Sequence, residues 1–261
     1  MADKNYLHTA YANSADGTDG FTTVYPNLNL LNGTKDFSGN WINTDPWYKN
    51  GTYNGLTVMS FNGSWNAGLT KSFTIPSDGI YSMSMFVKVK AGSIGKFVIE
   101  TTGMDSIIIE VNPTDEQFVT RSYTGNFTSG QTILMYFRFN DDKNIIKDGL
   151  SVAGHKIEHG SAVTPYMTSA TEVTTADWPK YVGTYVDTNQ TSSIEPSKYD
   201  WDEMKYRVYL DGVPVGGSKL LSFDLENLKA GTSYNVQVSQ INGNVESDKS
   251  ESVAFKTTLP K

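Results

Sequence analysis

The sequence predicts an all-β protein built from several modules, and three observations lead to this fold class. The 261 residues include 12 Phe and 15 Tyr, and aromatic residues, like β-branched ones, favour strands. No long stretch repeats apolar residues with the 3.6-residue period of an amphipathic helix. Two segments, 80–90 (IYSMSMFVKVK) and 132–140 (TILMYFRFN), instead alternate between two faces, which is typical of strands with one side in a core.

The N-terminal part predicts a short strand over residues 3–12, followed by a turn region rich in Gly, Asp and Ser over residues 13–23. This strand is too short to fold alone. We therefore predict that residues 1–26 pair with residues 178–201, another short segment that needs a neighbour. The alternative is that the N-terminal stretch is a flexible arm.

The central part, residues 27–170, predicts a β-sandwich of the jelly-roll type. Roughly eight short strands follow one another, with turn formers between them. In the second alternating segment, one set of residues should face the core. The alternation then places Tyr136, Arg138 and Asn140 on the outer face of that strand.

The C-terminal part divides in two. Residues 171–201 are polar and turn-rich and predict a linker and a small module, whereas residues 202–261 predict a further set of strands.

Charge and motifs exclude several classes of function. The net charge is −7 and the pI is about 5.0, and no basic stripe is present, which argues against nucleic acid and membrane as partners. The chain has no Cys, which excludes disulfides and thiol catalysis. No apolar run approaches the roughly 18 residues of a membrane span. The N-terminus lacks a hydrophobic signal core, so synthesis in the cytoplasm is expected. Because zinc-protease, nucleophile-elbow and phosphate-loop motifs are missing, the chain is not expected to be an enzyme.

Two segments resemble a known family. Residues 29–41 (NLLNGTKDFSGNW) and 148–172 (DGLSVAGHKIEHGSAVTPYMTSATE) are similar to the opening and closing segments of carbohydrate-binding modules. These modules occur in tail and baseplate proteins of siphophages that infect Gram-positive bacteria. The resemblance implies a jelly roll that binds a saccharide of the host cell wall. Many related jelly rolls hold a structural calcium, for which Asp36 and Asp148 are the carboxylates at the corresponding places; no other cofactor is expected.

The remaining segments resemble other modules of tail proteins. Residues 6–22 and 181–201 are similar to two parts of one small module, here separated by the central domain. Residues 206–217 and 223–243, with Tyr234 placed as in a tyrosine corner, resemble a fibronectin type III domain whose first two strands are not evident. As a whole, the chain resembles a baseplate accessory protein of a lactococcal-type siphophage. This implies a place in the virion tail and docking on other baseplate proteins through the terminal modules.

Six side chains are candidates for contact with a saccharide. A sugar has an apolar C–H face that can stack on an aromatic ring, and a rim of hydroxyls that planar polar groups can hydrogen-bond. The candidates are aromatic residues among turn formers and polar residues on an outer strand face, namely Trp47, Tyr48, Trp65, Tyr136, Arg138 and Asn140. The alternatives are core packing for a Trp and an ordinary solvated face for the strand. Two other functions stay open. One is a structural tail adaptor that binds no sugar, and the other, less favoured, is a saccharide-cleaving enzyme.

Overall fold

The computed structural model describes residues 5–143, 145–226 and 228–258, so the first residues of the predicted N-terminal strand lie outside the described residues. The described chain is all-β, as predicted. Its helical content is two single 3-10 turns, Thr175–Asp177 and Pro196–Lys198. No described helix is therefore a candidate for spanning a membrane.

In chain order the strands are β1 (Tyr6–Ala12), β2 (Trp47–Tyr53), β3 (Leu56–Phe61), β4 (Ser72–Thr74), β5 (Gly79–Val89), β6 (Gly95–Thr101), β7 (Ile107–Val111), β8 (Val119–Phe127), β9 (Thr132–Phe139), β10 (Leu150–His159), β11 (Tyr181–Asp187), β12 (Asp200–Glu203), β13 (Tyr206–Leu210), β14 (Val213–Ser218), β15 (Ser233–Asn242), β16 (Val245–Glu246) and β17 (Val253–Lys256).

The chain divides into two compact units. One consists of residues 28–172, and the other combines residues 1–27 with residues 173–261. We call them the central unit and the terminal unit.

The central unit is a sandwich of two antiparallel sheets. One sheet has the strand order β2-β3-β10-β5-β8 and the other has the order β4-β9-β6-β7. The two alternating segments of the sequence are β5 and β9, and their apolar residues form the centre of the core, which confirms the predicted strand faces. Each of the following side chains is at most 2% exposed: Tyr81, Met83, Met85, Val87, Val89, Ile133, Met135, Phe137 and Phe139. Full burial of one such side chain contributes about 1.5–3 kcal/mol.

Hydrogen bonds hold the first and last segments of the central unit side by side. The N–H of Asn29 donates to the carbonyl of Thr168 (3.1 Å), and the Asn29 side chain accepts from the N–H of Ile157 (3.0 Å). The N–H of Gly33 donates to the carboxylate of Glu172 (3.1 Å). The chain therefore enters and leaves the central unit at neighbouring positions.

A buried ion pair fixes the closing segment. Lys156 and Glu158 on β10 are each 1% exposed, and Lys156 Nζ lies 3.1 Å from Glu158 Oε2. The same ammonium donates to Thr164 Oγ1 (2.6 Å) and to the carbonyl of Pro165 (2.7 Å). Glu158 Oε1 accepts the N–H of Thr164 (2.9 Å). Both charges have several partners, which is the condition under which a buried ion pair is tolerated.

The terminal unit contains two sheets. β1, β11 and β12 form the first, with β1 and β11 paired antiparallel over all seven residues of each. The N-terminal segment is thus a sheet strand and not a free arm. The second sheet has the order β14-β13-β15-β16, and β17 also pairs with β15. The hydroxyl of Tyr234 on β15 accepts the N–H of Lys229 (2.9 Å), a backward bond of the kind made in a tyrosine corner.

A buried arginine joins the segments of the terminal unit. Arg207 on β13 is 2% exposed and ion-paired with Glu246. Its Nε donates to the hydroxyl of Tyr25 (2.9 Å), and its guanidinium lies 4.6 Å from the ring centroid of Trp178. Residues of the predicted small module and of the predicted C-terminal domain thus contact one another and the N-terminal segment within this unit.

Candidate functional site

Trp65 and Arg138, which lie far apart in the sequence, meet on the outside of the central unit. Trp65 lies in the loop between β3 and β4, and its carbonyl accepts the N–H of Phe139 (3.1 Å), which ties the loop to the end of β9. The Arg138 guanidinium lies 4.9 Å from the centroid of the Trp65 ring, within the range of a cation–π contact. Arg138 Nη1 also donates to the carbonyl of Phe139 (2.8 Å). The guanidinium is therefore held in place beside a half-buried ring.

Tyr136 is the next outward side chain on β9. Its hydroxyl donates to Glu100 Oε1 (2.6 Å). Its ring covers Gly68, where a Cβ atom would lie 2.2 Å from the ring, so only glycine fits beneath it. Burial, together with the bond to Glu100, raises the pKa of Tyr136 to about 12. The phenol therefore stays a neutral hydrogen-bond donor at physiological pH.

Two charged residues that the sequence reasoning missed belong to the same surface. Lys96 on β6 lies directly opposite Arg138 in the register of β6 and β9, and Glu100 lies on the same face of β6. The alternation of KFVIET (96–101) could have found them, because it places both residues on the face opposite Phe97. The outer face of β6 and β9 thus carries two cationic groups and one carboxylate next to the aromatic rings.

Asn140 directly follows β9 and is half-exposed. Its N–H donates to the carbonyl of Ile94 (2.9 Å). The adjacent Asp141 accepts the N–H of Lys143 (2.9 Å) and closes a turn. The structure therefore brings four of the six candidate residues together: Trp65, Tyr136, Arg138 and Asn140. We call these four residues, together with Lys96 and Glu100, the β9 surface.

Trp47 is not available as a platform, which corrects its inclusion among the candidates. It is 5% exposed, and its indole N–H donates to the carbonyl of Ala67 (2.7 Å). Trp47 and Tyr48 stand among turn formers in the sequence, but β2 begins at Trp47, so the strand alternation directs Trp47 inward and Tyr48 outward. Trp41 is also buried, with its ring edge-on to the buried His155 (5.2 Å).

Tyr48 is not part of the β9 surface and contacts one of the two proposed calcium ligands. Tyr48 is 37% exposed, and its hydroxyl donates to Asp148. Asp36 accepts the N–H of Ser38 (2.9 Å). Calcium takes six to eight oxygen ligands, and among the described residues no group of three or more His, Asp or Glu side chains could hold a metal. The described carboxylates alone therefore do not supply a calcium site, and the calcium stays a prediction.

One histidine of the terminal unit has a serine and an aspartate as neighbours. His8 Nδ1 lies 3.1 Å from Ser192 Oγ, and Nε2 lies 3.5 Å from Asp187 Oδ1 and 2.8 Å from the carbonyl of Asn189. The imidazole is 4% exposed and stacks on Tyr185 at 4.6 Å. These contacts fix the loop after β11 onto β1, which is a packing role.

Comparison with known proteins identifies relatives of the whole chain and of one part. Residues 179–237 match the family described as "Minor structural protein 5-like, C-terminal domain". A chain of "the tripod (BppUct-A-L) from the baseplate of bacteriophage Tuc2009" is 48% identical, with 100% of both chains covered and a TM-score of 0.72. No curated protein matches the chain.

Carbohydrate-binding modules are more distant structural neighbours. The module CBM6cm-2 from Cellvibrio mixtus lichenase 5A is 15% identical, with 47% of this chain and 98% of that chain covered and a TM-score of 0.34. The C-terminal CBM6 of LamC from Zobellia galactanivorans is also 15% identical, with 58% and 98% covered and a TM-score of 0.31. Similarity at this level carries no argument about binding.

Proposed function

Because the chain belongs to the family of the Tuc2009 baseplate tripod protein, we propose that it is a non-enzymatic baseplate accessory protein of the phage virion. In this proposal the central unit binds a saccharide of the host cell wall, and the terminal unit docks on other baseplate proteins. The observation that carries the saccharide proposal is the β9 surface. There a half-buried indole, a fixed guanidinium and a Tyr–Glu pair lie together on one outer face.

The chemistry of the β9 surface suits a sugar. The rings of Trp65 and Tyr136 offer apolar surface to the C–H face of a pyranose, at about 1 kcal/mol per stacked ring. Arg138 and Glu100 hydrogen-bond hydroxyls with a charged donor and a charged acceptor. The Arg138 guanidinium is already held by the carbonyl of Phe139, so little side-chain entropy is lost on binding. One such site is weak, and many copies on one particle would give firm attachment through effective concentration.

The distribution of exposed apolar residues supports docking through the terminal unit. Among the described residues, every large apolar side chain that is more than half exposed belongs to this unit: Val186, Ile194, Val213, Leu220, Leu221, Val245 and Val253. The C-terminal sheet also carries an apolar groove of about 300 Å³, lined by residues that include Val208, Phe223 and Val238. Such surface is typical of protein–protein contacts.

A cell-staining experiment tests the saccharide proposal. The whole chain, fused to a fluorescent protein, should stain lactococcal cells, and Arg138→Ala and Trp65→Ala should each reduce the staining. Arg121→Ala is the matched control, because Arg121 is a half-buried arginine on the other sheet. If the unmodified protein stains no cells, the protein is a structural adaptor. If cell-wall polysaccharide incubated with the protein is shortened, the protein is an enzyme.

A further inference from the structure

The outer face of the five-stranded sheet carries a second group of aromatic rings, remote from β9 in the fold. Tyr53, Phe86 and Phe118 are all half-buried. The rings of Tyr53 and Phe118 stack with centroids 4.4 Å apart, and Phe86 meets Tyr53 edge-on at 5.2 Å. We call these three residues the sheet-face cluster. Beneath it lie the buried side chains of Leu56, Val58 and Ala153.

Two local backbone features set the position of these rings. Asn54 and Gly55 have φ angles of +49° and +75°, as in the tight hairpin turn that links two strands through Asn-Gly, and this turn fixes Tyr53 at the end of β2. Gly154, at φ +58°, lies in the β-bulge of β10, where a Cβ atom would come within 3.0 Å of the Phe86 ring. The bulge therefore makes room for Phe86 on this face.

The loop before β8, which carries Glu116 to the edge of the cluster, has an unusual conformation. Asp115 and Glu116 are consecutive non-glycine residues in the left-handed region, with φ angles of +49° and +61°. Such a conformation is unfavourable and persists where the surrounding structure imposes it. Here Thr114 Oγ1 donates to the carbonyl of Gln117 (2.6 Å) and accepts the N–H of Val89 (3.1 Å).

The loop places the Glu116 carboxylate beside Lys88 of β5, and this ion pair lies next to the cluster. Glu116 lies 3.7 Å from Lys88 Nζ, and Lys88 Nζ is 5.5 Å from the centroid of the Phe118 ring. The Glu116 side chain is 58% exposed, so its carboxylate is open to an incoming ligand. Among the described residues, none hydrogen-bonds the hydroxyl of Tyr53. An acceptor, a cationic donor and a free phenol thus surround apolar ring surface.

We propose that the sheet-face cluster is a second saccharide contact of the central unit, which rests on the proposed function of that unit. The rings stack on a sugar C–H face, Glu116 accepts hydrogen bonds from hydroxyls, and Lys88 and Tyr53 donate to ring or hydroxyl oxygens. Because the outer faces of a two-sheet sandwich point in opposite directions, this contact and the β9 surface bind separate segments of a wall polymer. One copy of the protein is then bivalent.

Binding of polysaccharide extracted from lactococcal cell walls, measured by titration calorimetry on the whole chain, tests the proposal. Tyr53→Leu and Phe118→Leu keep apolar volume but remove the flat ring, and each should weaken binding about three- to tenfold. Tyr53→Phe keeps the ring and removes only the hydroxyl that donates to the sugar, so it should weaken binding less than Tyr53→Leu does. Glu116→Ala removes the exposed carboxylate at the rim of the cluster and should also weaken binding. Thermal unfolding of each variant checks that the fold is intact.

The outcomes separate this proposal from the function on which it rests. Additive losses in the Arg138→Ala/Phe118→Leu double variant would show two contacts. If Arg138→Ala loses affinity while the Leu variants and Glu116→Ala bind as the unmodified protein does, the second contact is overturned and the β9 surface stands. If the unmodified protein does not bind the polysaccharide at all, both proposals are overturned.

Discussion

Replacing Lys156 by Met removes the positive charge from the buried ion pair on β10. The Lys156 ammonium contacts Glu158, Thr164 and the carbonyl of Pro165, all at 3.1 Å or less. Met has a similar length but no donor. The variant therefore leaves the Glu158 carboxylate, which is 1% exposed, with hydrogen bonds from Thr164 and no cation.

The expected loss follows from this arrangement. Removing one partner of a buried pair leaves an uncompensated charge, which costs about 3–5 kcal/mol of stability. In the double variant Lys156→Met/Glu158→Leu no charge remains, so part of the loss should be recovered. The matched control is Lys205→Met. Lys205 lies 3.8 Å from Asp202 with both side chains at least half exposed, and the cost there should be below about 1 kcal/mol.

Urea unfolding followed by tryptophan fluorescence measures these differences, and hydrogen exchange of β10 peptides assigns the transition to the central unit. The reasoning is refuted if Lys156→Met costs no more than the control. It is also refuted if the double variant is less stable than Lys156→Met alone, because the carboxylate would then not be the source of the loss.

Three further predictions concern other positions. Burial lowers the pKa of His155 from 6.5 to about 4, so the unfolded state gains a proton first as pH falls. The central unit should then lose about 3 kcal/mol of stability between pH 6.5 and pH 4. Thermal unfolding at both pH values checks this loss, which His155→Phe should remove; an equal loss in the variant would contradict it. Gly68→Ala forces the ring of Tyr136 to move and should cost about 1–3 kcal/mol. It should also reduce cell staining, and unchanged staining would remove Tyr136 from the site. Arg207→Met leaves Glu246 without its cation and should destabilise the terminal unit by about 3 kcal/mol in urea unfolding; a loss confined to the C-terminal sheet would show that the N-terminal segment does not share its core.

Much of the fold could be predicted because alternation is a local signal. The apolar residues of β5 and β9 are read directly from the sequence, and the outer position of Arg138 follows from theirs. The same rule failed at Trp47 because the turn formers around it gave no sign that a strand begins there. A shift of one residue in the start of a strand exchanges its inner and outer faces.

Features that depend on distant residues could not be predicted from the sequence. Arg207 lies in a strand with no polar face, and its burial depends on Tyr25 and Trp178, which no local pattern connects to it. The stack of Tyr53 on Phe118 likewise joins the end of one strand to the loop before another. Such clusters arise only when the sheets are assembled.

The fastening of Asn29 to Thr168 and of Gly33 to Glu172 has an evolutionary consequence. Because the two ends of the central unit lie side by side, the gene segment that encodes it can be replaced by one that encodes a different domain. Such a replacement does not lengthen the gap that the flanking strands must bridge. Under the proposed function, recombination that exchanges this unit alone would change the saccharide that is bound. The flanking segments, which are proposed to dock on the baseplate, would remain as they were.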